Sequence, residues 1–150
     1  MNQEELDIIV DNHEKWLRGE GDARADLRLA DLSYADLRCA DLRGADLRGA
    51  DLRWANLSYA DLREVDLSDA KLNWVNWQDA IGLTVVAVQV DTTRKNNQIA
   101  YIKELDTWTT SYFQGTLDEL KASVEQTHKD NEKLKAKYYR VIDFILQEAE

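Results

Sequence analysis

Residues 25–79 read ADLRL ADLSY ADLRC ADLRG ADLRG ADLRW ANLSY ADLRE VDLSD AKLNW VNWQD, which is a series of eleven pentapeptides. The first position of each unit is Ala or Val, and the third is Leu in every unit except the last, where it is Trp77. Two apolar positions therefore recur every five residues, and this period decides the fold.

A period of five fits neither of the standard elements. In an α-helix, five residues rotate by about 500°, so successive leucines would move by about 140° around the axis and form no stripe. In a straight strand, each leucine would point to the face opposite the previous one. If the chain turns a corner once per unit, every first and third residue can point towards a common axis. The repeat therefore predicts a solenoid.

The A-(D/N)-L-x-x units resemble those of the pentapeptide repeat family. This resemblance implies a right-handed quadrilateral β-helix with four units in each coil and with the first and third residues of each unit inside. Eleven units would form about three coils, and at a strand spacing of about 4.8 Å the β-helix would be about 13 Å tall. The expected structural core consists of the third residues, Leu27, Leu32, Leu37, Leu42, Leu47, Leu52, Leu57, Leu62, Leu67, Leu72 and Trp77.

Residues 1–24 predict an N-terminal capping helix followed by a linker. An open end of a solenoid exposes apolar side chains and unpaired backbone groups, so we expect this amphipathic helix to cover the first coil. Gly19 and Gly21 would end it before the repeats start. Its apolar stripe, within residues 3–19, consists of Leu6, Ile9, Val10, His13, Trp16 and Leu17. We expect His13 to be a packed histidine and not a ligand.

Residues 80–150 predict a small α+β lobe that begins with strands. Residues 83–90 are β-branched and apolar on both alternating faces, which is typical of a buried strand. A polar loop at 91–97 and a partner strand at 99–105 would complete a β-hairpin. Trp108, Tyr112 and Phe113 lie in a Thr-rich stretch that could add a third strand and make a three-stranded meander.

Two helices are expected to follow these strands. Thr116 and Glu119 have the spacing of a capping box, which predicts the start of the first helix. A break near residues 129–131 separates it from the second, whose apolar stripe is Leu134, Tyr138, Val141, Ile142, Ile145 and Ala149. A short repeat block with a compact tail resembles the small pentapeptide repeat proteins of bacteriophages and prophages.

The composition excludes several classes of protein. Nineteen Lys and Arg against 29 Asp and Glu give a net charge of −10, whereas proteins that bind nucleic acid directly carry a basic patch. The longest apolar runs are too short to span a membrane. The first residues lack the basic and apolar regions of a secretory signal, and the single Cys39 cannot form an internal disulfide. We therefore expect a cytoplasmic protein.

Catalytic and metal-binding patterns are weak. Calcium-binding β-helix repeats need glycine-rich turns, whereas here arginines follow most of the second-position aspartates and would form a charged wall with them. Only His13 and His128 could serve as a histidine base, and Cys39 has no basic neighbour except Arg38. There is no glycine-rich phosphate loop and no zinc spacing. The sequence therefore predicts no catalytic residue, no metal and no cofactor.

An aromatic column is the most informative surface feature. With four units per coil, Tyr34, Trp54 and Trp74 occupy the same outward fifth position on successive coils, and we expect their rings to stack. Tyr59 lies in the neighbouring column. Two interpretations stay open: the column stabilises the β-helix or is covered by the C-terminal lobe, or it contacts a partner or a second copy. These four residues form the candidate interaction face.

The function favoured by the sequence is that of a non-catalytic protein-binding module, such as a phage or prophage factor that occupies a host protein. One alternative is DNA mimicry, because pentapeptide repeat proteins linked to quinolone resistance resemble duplex DNA and bind gyrase. The repeats of this chain have 11 acidic and 7 basic residues, a net charge of only −4. The other alternative is a structural or oligomerising role. The expected partners are a protein of unknown identity or a second copy in a homodimer, with no direct contact to nucleic acid or membrane.

Overall fold

The computed structural model describes residues 1–21, 23–90 and 98–150. The chain divides into two compact units, Met1–Leu83 and Thr84–Glu150. The polar loop predicted at 91–97 lies outside the described residues.

The first unit contains a β-helix built from the pentapeptides. Parallel β-bridges join second-position residues that are twenty apart, such as Asp26 to Asp46 and Asp46 to Asp66, so that four units complete one coil. The Leu27 N–H donates to the Asp46 carbonyl at 2.8 Å, and equivalent bonds recur along the ladder. The ladder runs to Ile81, which bridges to Asp61, and so extends two residues past the predicted end at Asp79.

The interior of the β-helix is filled by the first and third residues of the units. All ten third-position leucines are only 0–3% exposed. The prediction that Trp77 belongs to this core is wrong, because its side chain is only partly buried. An indole is larger than the leucine that fills this position elsewhere, whereas Leu67 and Leu72 of the same last coil are only 3% and 1% exposed.

Each corner is a four-residue turn closed by one backbone hydrogen bond. In the first unit the Ala30 N–H donates to the Leu27 carbonyl at 3.2 Å. The fifth residue, the third of each turn, has a positive φ of 55–72° in all eleven units, which is the feature of a type II turn. Gly44 and Gly49 adopt this conformation freely. The other nine fifth positions hold side chains despite a cost of about 1–2 kcal/mol per residue.

Helix α1, Gln3–Leu17, lies in the same unit. The Asn2 side chain accepts from the Glu5 N–H and caps its N-terminus. It ends two residues before the predicted limit of residue 19, where Gly19 has a φ of 75°. Leu6 and His13 are buried, whereas Ile8 is 62% exposed.

Side chains of α1 bind backbone groups on the open edge of the first coil. The Gln3 amide donates to the Asp36 carbonyl at 2.8 Å and accepts from the Asp36 N–H at 2.9 Å, as a neighbouring strand would. The Glu14 carboxylate accepts from the Asp41 N–H at 3.2 Å. The helix therefore replaces part of the missing preceding coil by hydrogen bonds as well as by apolar cover.

The second unit contains a four-stranded antiparallel sheet in the order β1-β2-β3-β4. Its strands are β1 Val85–Gln89, β2 Gln98–Ile102, β3 Thr107–Thr109 and β4 Gln114–Gly115. The sheet thus has one more strand than the predicted meander, because two residues pair with β3.

Two further predictions for this sheet are wrong. The strand expected at 99–105 ends at Ile102, because residues 103–105 form a 3₁₀ turn that Asp106 ends with a φ of 47°. The strand expected to be buried, β1, is an edge strand, and all five of its residues are partly or fully exposed. Val86 and Val88 pack against the core, whereas Val85 and Ala87 on the other face do not. An apolar residue on both faces of the strand therefore does not require burial on both faces.

Helices α2, Leu117–Thr127, and α3, Glu132–Glu148, complete the second unit. The predicted capping box is present, with Thr116 and Glu119 each bonding the other's backbone N–H. Asn131 caps α3 by accepting from the Leu134 N–H. The core between sheet and helices consists of Ile99, Trp108, Leu120, Val124, Tyr138, Ile142 and Ile145.

Candidate functional site

The rings of Tyr34, Trp54 and Trp74 form a stacked column on the outside of the β-helix. The ring centroids of Tyr34 and Trp54 are 6.1 Å apart with an interplanar angle of 3°, and those of Trp54 and Trp74 are 5.0 Å apart at 7°. The predicted stacking of these three residues therefore occurs, and we call them the aromatic column.

The turn geometry places the rings in register. Each ring projects from a fifth position with a φ of 62–65°, and the Tyr34 and Trp54 N–H groups donate to backbone carbonyls of the next coil at 3.0 and 3.1 Å. The strand spacing of about 4.8 Å is close to the distance at which aromatic rings stack. The column therefore follows from identical corners in consecutive coils.

The column is accessible, most of all at its first ring. Tyr34 is 74% exposed and Trp54 43%, whereas Trp74 is partly buried. Stacking covers the ring faces between neighbours and leaves the outer face of Tyr34 and the ring edges open. Tyr59, on the next corner, is 55% exposed.

The wall between the column and Tyr59 carries few charges in its second and third coils. Most units pair an aspartate at position two with an arginine at position four. On this wall, the unit of the second coil has Asn56 with Ser58 instead, and the unit of the third coil has Asn76 with Gln78. Each Asn side chain accepts from the backbone N–H two residues later at 3.0 Å, so the local turn is kept without the charges. In these two coils the surface of the wall therefore consists of amide and hydroxyl groups between aromatic rings, without aspartate–arginine pairs.

A shallow groove of about 570 Å³ lies on this wall. It is lined by Asp36, Arg38, Cys39, Asn56, Ser58 and Tyr59. The groove gives the candidate face a concave part beside the aromatic edges, where a side chain of a partner could enter.

On the other walls, and in the first coil of this wall, aspartates and arginines neutralise each other. In the first unit Arg28 donates to both carboxylate oxygens of Asp26, at 2.8 and 2.7 Å, and five further units repeat this pairing with Arg38, Arg43, Arg48, Arg53 and Arg63. The hydrogen bond from Arg28 is the main cause that lowers the pKa of Asp26 from 3.8 to about 2. These carboxylates are thus engaged by their own arginines.

Sequence reasoning found the column but missed the polar residues that hold α1 on the first coil. Gln3 and Glu14 were assigned no role, although both bind the edge of the first coil. A glutamine side chain in a predicted capping helix was the only signal, since its amide can imitate a peptide group. The substitution of Asp by Asn in two consecutive units of one wall was visible in the sequence and could have revealed the uncharged face.

Of the other polar residues considered in the sequence, Cys39 borders this face, whereas the two histidines make contacts within their own units. His13 is fully buried between α1 and the first coil. His128 stacks on Tyr138 in the second unit at 5.1 Å. Cys39 is exposed at the rim of the groove. No helix within the described residues is long and apolar enough to cross a membrane.

Comparisons with known proteins match the repeats. The family model for pentapeptide repeats matches residues 23–49 and 45–80, with eight copies. No curated protein matches the chain. Among solved structures, the chain is similar to the pentapeptide repeat protein Rfr23 from the cyanobacterium Cyanothece 51142, with 35% identity over 38% of this chain and 39% of that chain and a TM-score of 0.38.

A second solved structure is alr5209, a pentapeptide repeat protein from Nostoc Pcc 7120. The identity is 32%, over 48% of this chain and 73% of that chain, and the TM-score is 0.22. The chain spans less than half the length of the first of these two relatives.

Proposed function

Because the chain belongs to the pentapeptide repeat family through residues 23–80, whose members fold as right-handed β-helices, we propose that it is a non-catalytic protein-binding module. The contact surface in this proposal is the aromatic column with Tyr59 and the wall between them, whose second and third coils carry few charges. The observation that carries the proposal is the exposed stack of Tyr34, Trp54 and Trp74 on a rigid backbone ladder.

The chemistry of this face suits a protein partner. Interface centres are depleted in charged residues and enriched in Trp and Tyr, which bury large areas at a small cost in side-chain entropy. The Asn76 and Gln78 amides are exposed beside the rings and can pair with backbone or side-chain groups. Their position on a hydrogen-bonded ladder limits the entropy lost on binding.

DNA mimicry is supported less well. A mimic of a duplex needs a continuous run of uncompensated negative charge, because the phosphate charges dominate the affinity of DNA-binding proteins. In six units the arginine lies on the aspartate of the same unit, and the residual charge of the repeats is small. We therefore place the contact on the sparsely charged second and third coils of this wall and expect binding that depends weakly on salt.

The proposal is tested by comparing two double variants in a pull-down from a nuclease-treated bacterial lysate. The resemblance of the repeat-and-tail arrangement to phage proteins makes a bacterial host protein the first partner to seek. Trp54→Gly with Trp74→Gly removes two rings of the column. The control, Glu64→Gly with Asp69→Gly, introduces glycine at two corners outside the aromatic column. Glycine suits all four positions, because their φ values are 59–65°.

A specific protein that is recovered with the parent chain and the Glu64/Asp69 variant, but lost with the Trp54/Trp74 variant, would support the proposal. Circular dichroism must show both variants folded, which we expect because relief of the left-handed strain offsets the lost stacking of about 0.5–1.5 kcal/mol. Equal recovery with both variants would place the contact elsewhere. Recovery of the chain alone would favour a structural or oligomerising role.

A further inference from the structure

The free edge of strand β1 is uncharged and apolar. Among the described residues β1 pairs with β2 alone, so its other edge has no strand partner. Val85–Gln89 contains no charged residue and no proline, although edge strands of monomeric proteins usually carry such residues to prevent pairing with another chain. This edge is therefore suited to add a strand.

Helix α3 presents a second stripe, only partly covered, on the same side of the unit. Lys137, Val141, Phe144 and Glu148 are spaced by four, three and four residues, so they fall within about 60° of one another on the helix. Phe144 is 50% exposed, and Val141 is partly exposed. This surface, β1 together with these four residues, is called the β1–α3 edge.

The contacts of α3 show which way this stripe points. On one side of its buried residues, α3 bonds α2 through Lys135 and Tyr139, which both donate to Glu125. The stripe lies on the opposite side of the buried residues. Since α3 packs on β1 and α2 packs on β3 and β4, the stripe projects over the β1 side of the sheet.

We propose that the β1–α3 edge binds a second copy of this chain in a two-fold symmetric homodimer. In an antiparallel pair of α3 helices centred between residues 142 and 143, Val141 faces Phe144 of the second copy. Lys137 then faces Glu148 of the second copy, and the two-fold symmetry forms this ion pair twice in the dimer. The stripe is thus complementary to itself in apolar contacts and in charge.

The strand fits the same symmetry. Antiparallel pairing of β1 with β1 of the second copy, centred on Ala87, places Val86 opposite Val88 of the second copy and brings no like charges together. Val86 and Val88 pack against the core that contains Ile142 and Ile145. Since α3 also packs directly on β1, one two-fold axis can relate both the strand pair and the helix pair.

A charge swap at the stripe tests the dimer by sedimentation velocity over a range of concentrations. We expect the parent chain to sediment with twice the mass of one chain. Glu148→Lys should raise the dissociation constant about tenfold or more, because the repulsion with Lys137 occurs twice in the dimer. Lys137→Glu combined with Glu148→Lys should restore association. Asp143→Lys makes the same charge change about 130° around α3 and should leave association unchanged.

Two further variants address the apolar contacts. Phe144→Asp and Ala87→Lys should each give a monomer, since they place charges at the centres of the helix and strand pairs. A monomeric parent chain at every concentration would overturn the proposal, as would a dimer that neither the Glu148→Lys nor the Ala87→Lys change weakens. The Trp54→Gly/Trp74→Gly variant should remain dimeric, so this proposal and the binding role of the aromatic column can fail independently.

Discussion

The Ala25 N–H donates to Nδ1 of His13 at 2.9 Å, where the first repeat begins. Because Nδ1 accepts this bond, the ring proton is assigned to Nε2, which donates to the Arg43 carbonyl at 2.9 Å. The imidazole is completely buried. One side chain therefore satisfies a backbone donor at the start of the first coil and a backbone acceptor near its end.

Replacement of His13 by alanine should destabilise the β-helix by about 2–4 kcal/mol, because it leaves two backbone groups without partners at about 1–3 kcal/mol each. Urea unfolding followed by tryptophan fluorescence measures this loss, since four of the five tryptophans lie in Met1–Leu83. Ile8→Ala on the exposed side of α1 is the control and should change little. Equal stability of the two variants would show that His13 does not hold the cap.

The aspartate–arginine pairs predict a loss of stability in acid. Hydrogen bonds from Arg28 and Arg38 lower the pKa values of Asp26 and Asp36, that of Asp26 to about 2. A carboxylate with a lowered pKa stabilises the folded state fully above its ordinary pKa, near 3.8, and loses this effect as the pH falls through the folded value. The urea midpoint should therefore stay level from pH 7 to 5 and fall between pH 4 and 2.

The matched variant for this prediction is Asp26→Asn. Asparagine keeps the oxygen that accepts the backbone N–H two residues later, as Asn56 and Asn76 do, but it cannot titrate. This variant should lose less stability between pH 4 and 2 than the parent chain. An identical pH dependence would mean that Asp26 is not among the groups responsible.

The corner conformation predicts opposite effects at two positions. Gly44 has a φ of 72° and no atom within 4 Å of an added Cβ, so Gly44→Ala should cost about 1 kcal/mol through backbone strain alone. Replacement of Glu64, which has a φ of 61°, by glycine should stabilise the protein by about 0.5 kcal/mol, because the relieved strain exceeds the entropy that glycine loses on folding. Thermal melting compares both variants with the parent chain. An unchanged melting temperature of Gly44→Ala would contradict the claim that the positive φ at the corners strains residues that carry a side chain.

The period of five was sufficient to predict the solenoid and its interior leucines, and the four units per coil implied by the resemblance to pentapeptide repeat proteins added the stacking of Tyr34, Trp54 and Trp74. These features follow from register alone, because each repeats in every coil. The positive φ of all fifth positions did not follow from the sequence, since only Gly44 and Gly49 signal it. Tertiary constraint holds the other nine residues in a conformation that they rarely adopt by themselves.

Features that depend on single contacts were not predictable. The bonds of Gln3 and His13 to the first coil require the position of α1, which its apolar stripe does not specify. In the second unit the two-residue β4 is too short for a sequence pattern, and the apolar run of β1 is as compatible with an edge as with a central position. Short strands and edges are decided by the packing of the whole unit.

The most direct test of the central claim is hydroxyl-radical footprinting of the chain, free and bound to the partner that the pull-down recovers. The account predicts that Tyr34 and Trp54 become protected from oxidation in the complex. Tyr112, which is 92% exposed in the second unit, is the internal reference and should be oxidised equally in both states. Oxidation of Tyr34 and Trp54 at the same rate in the free and bound chain would contradict a binding role for the aromatic column.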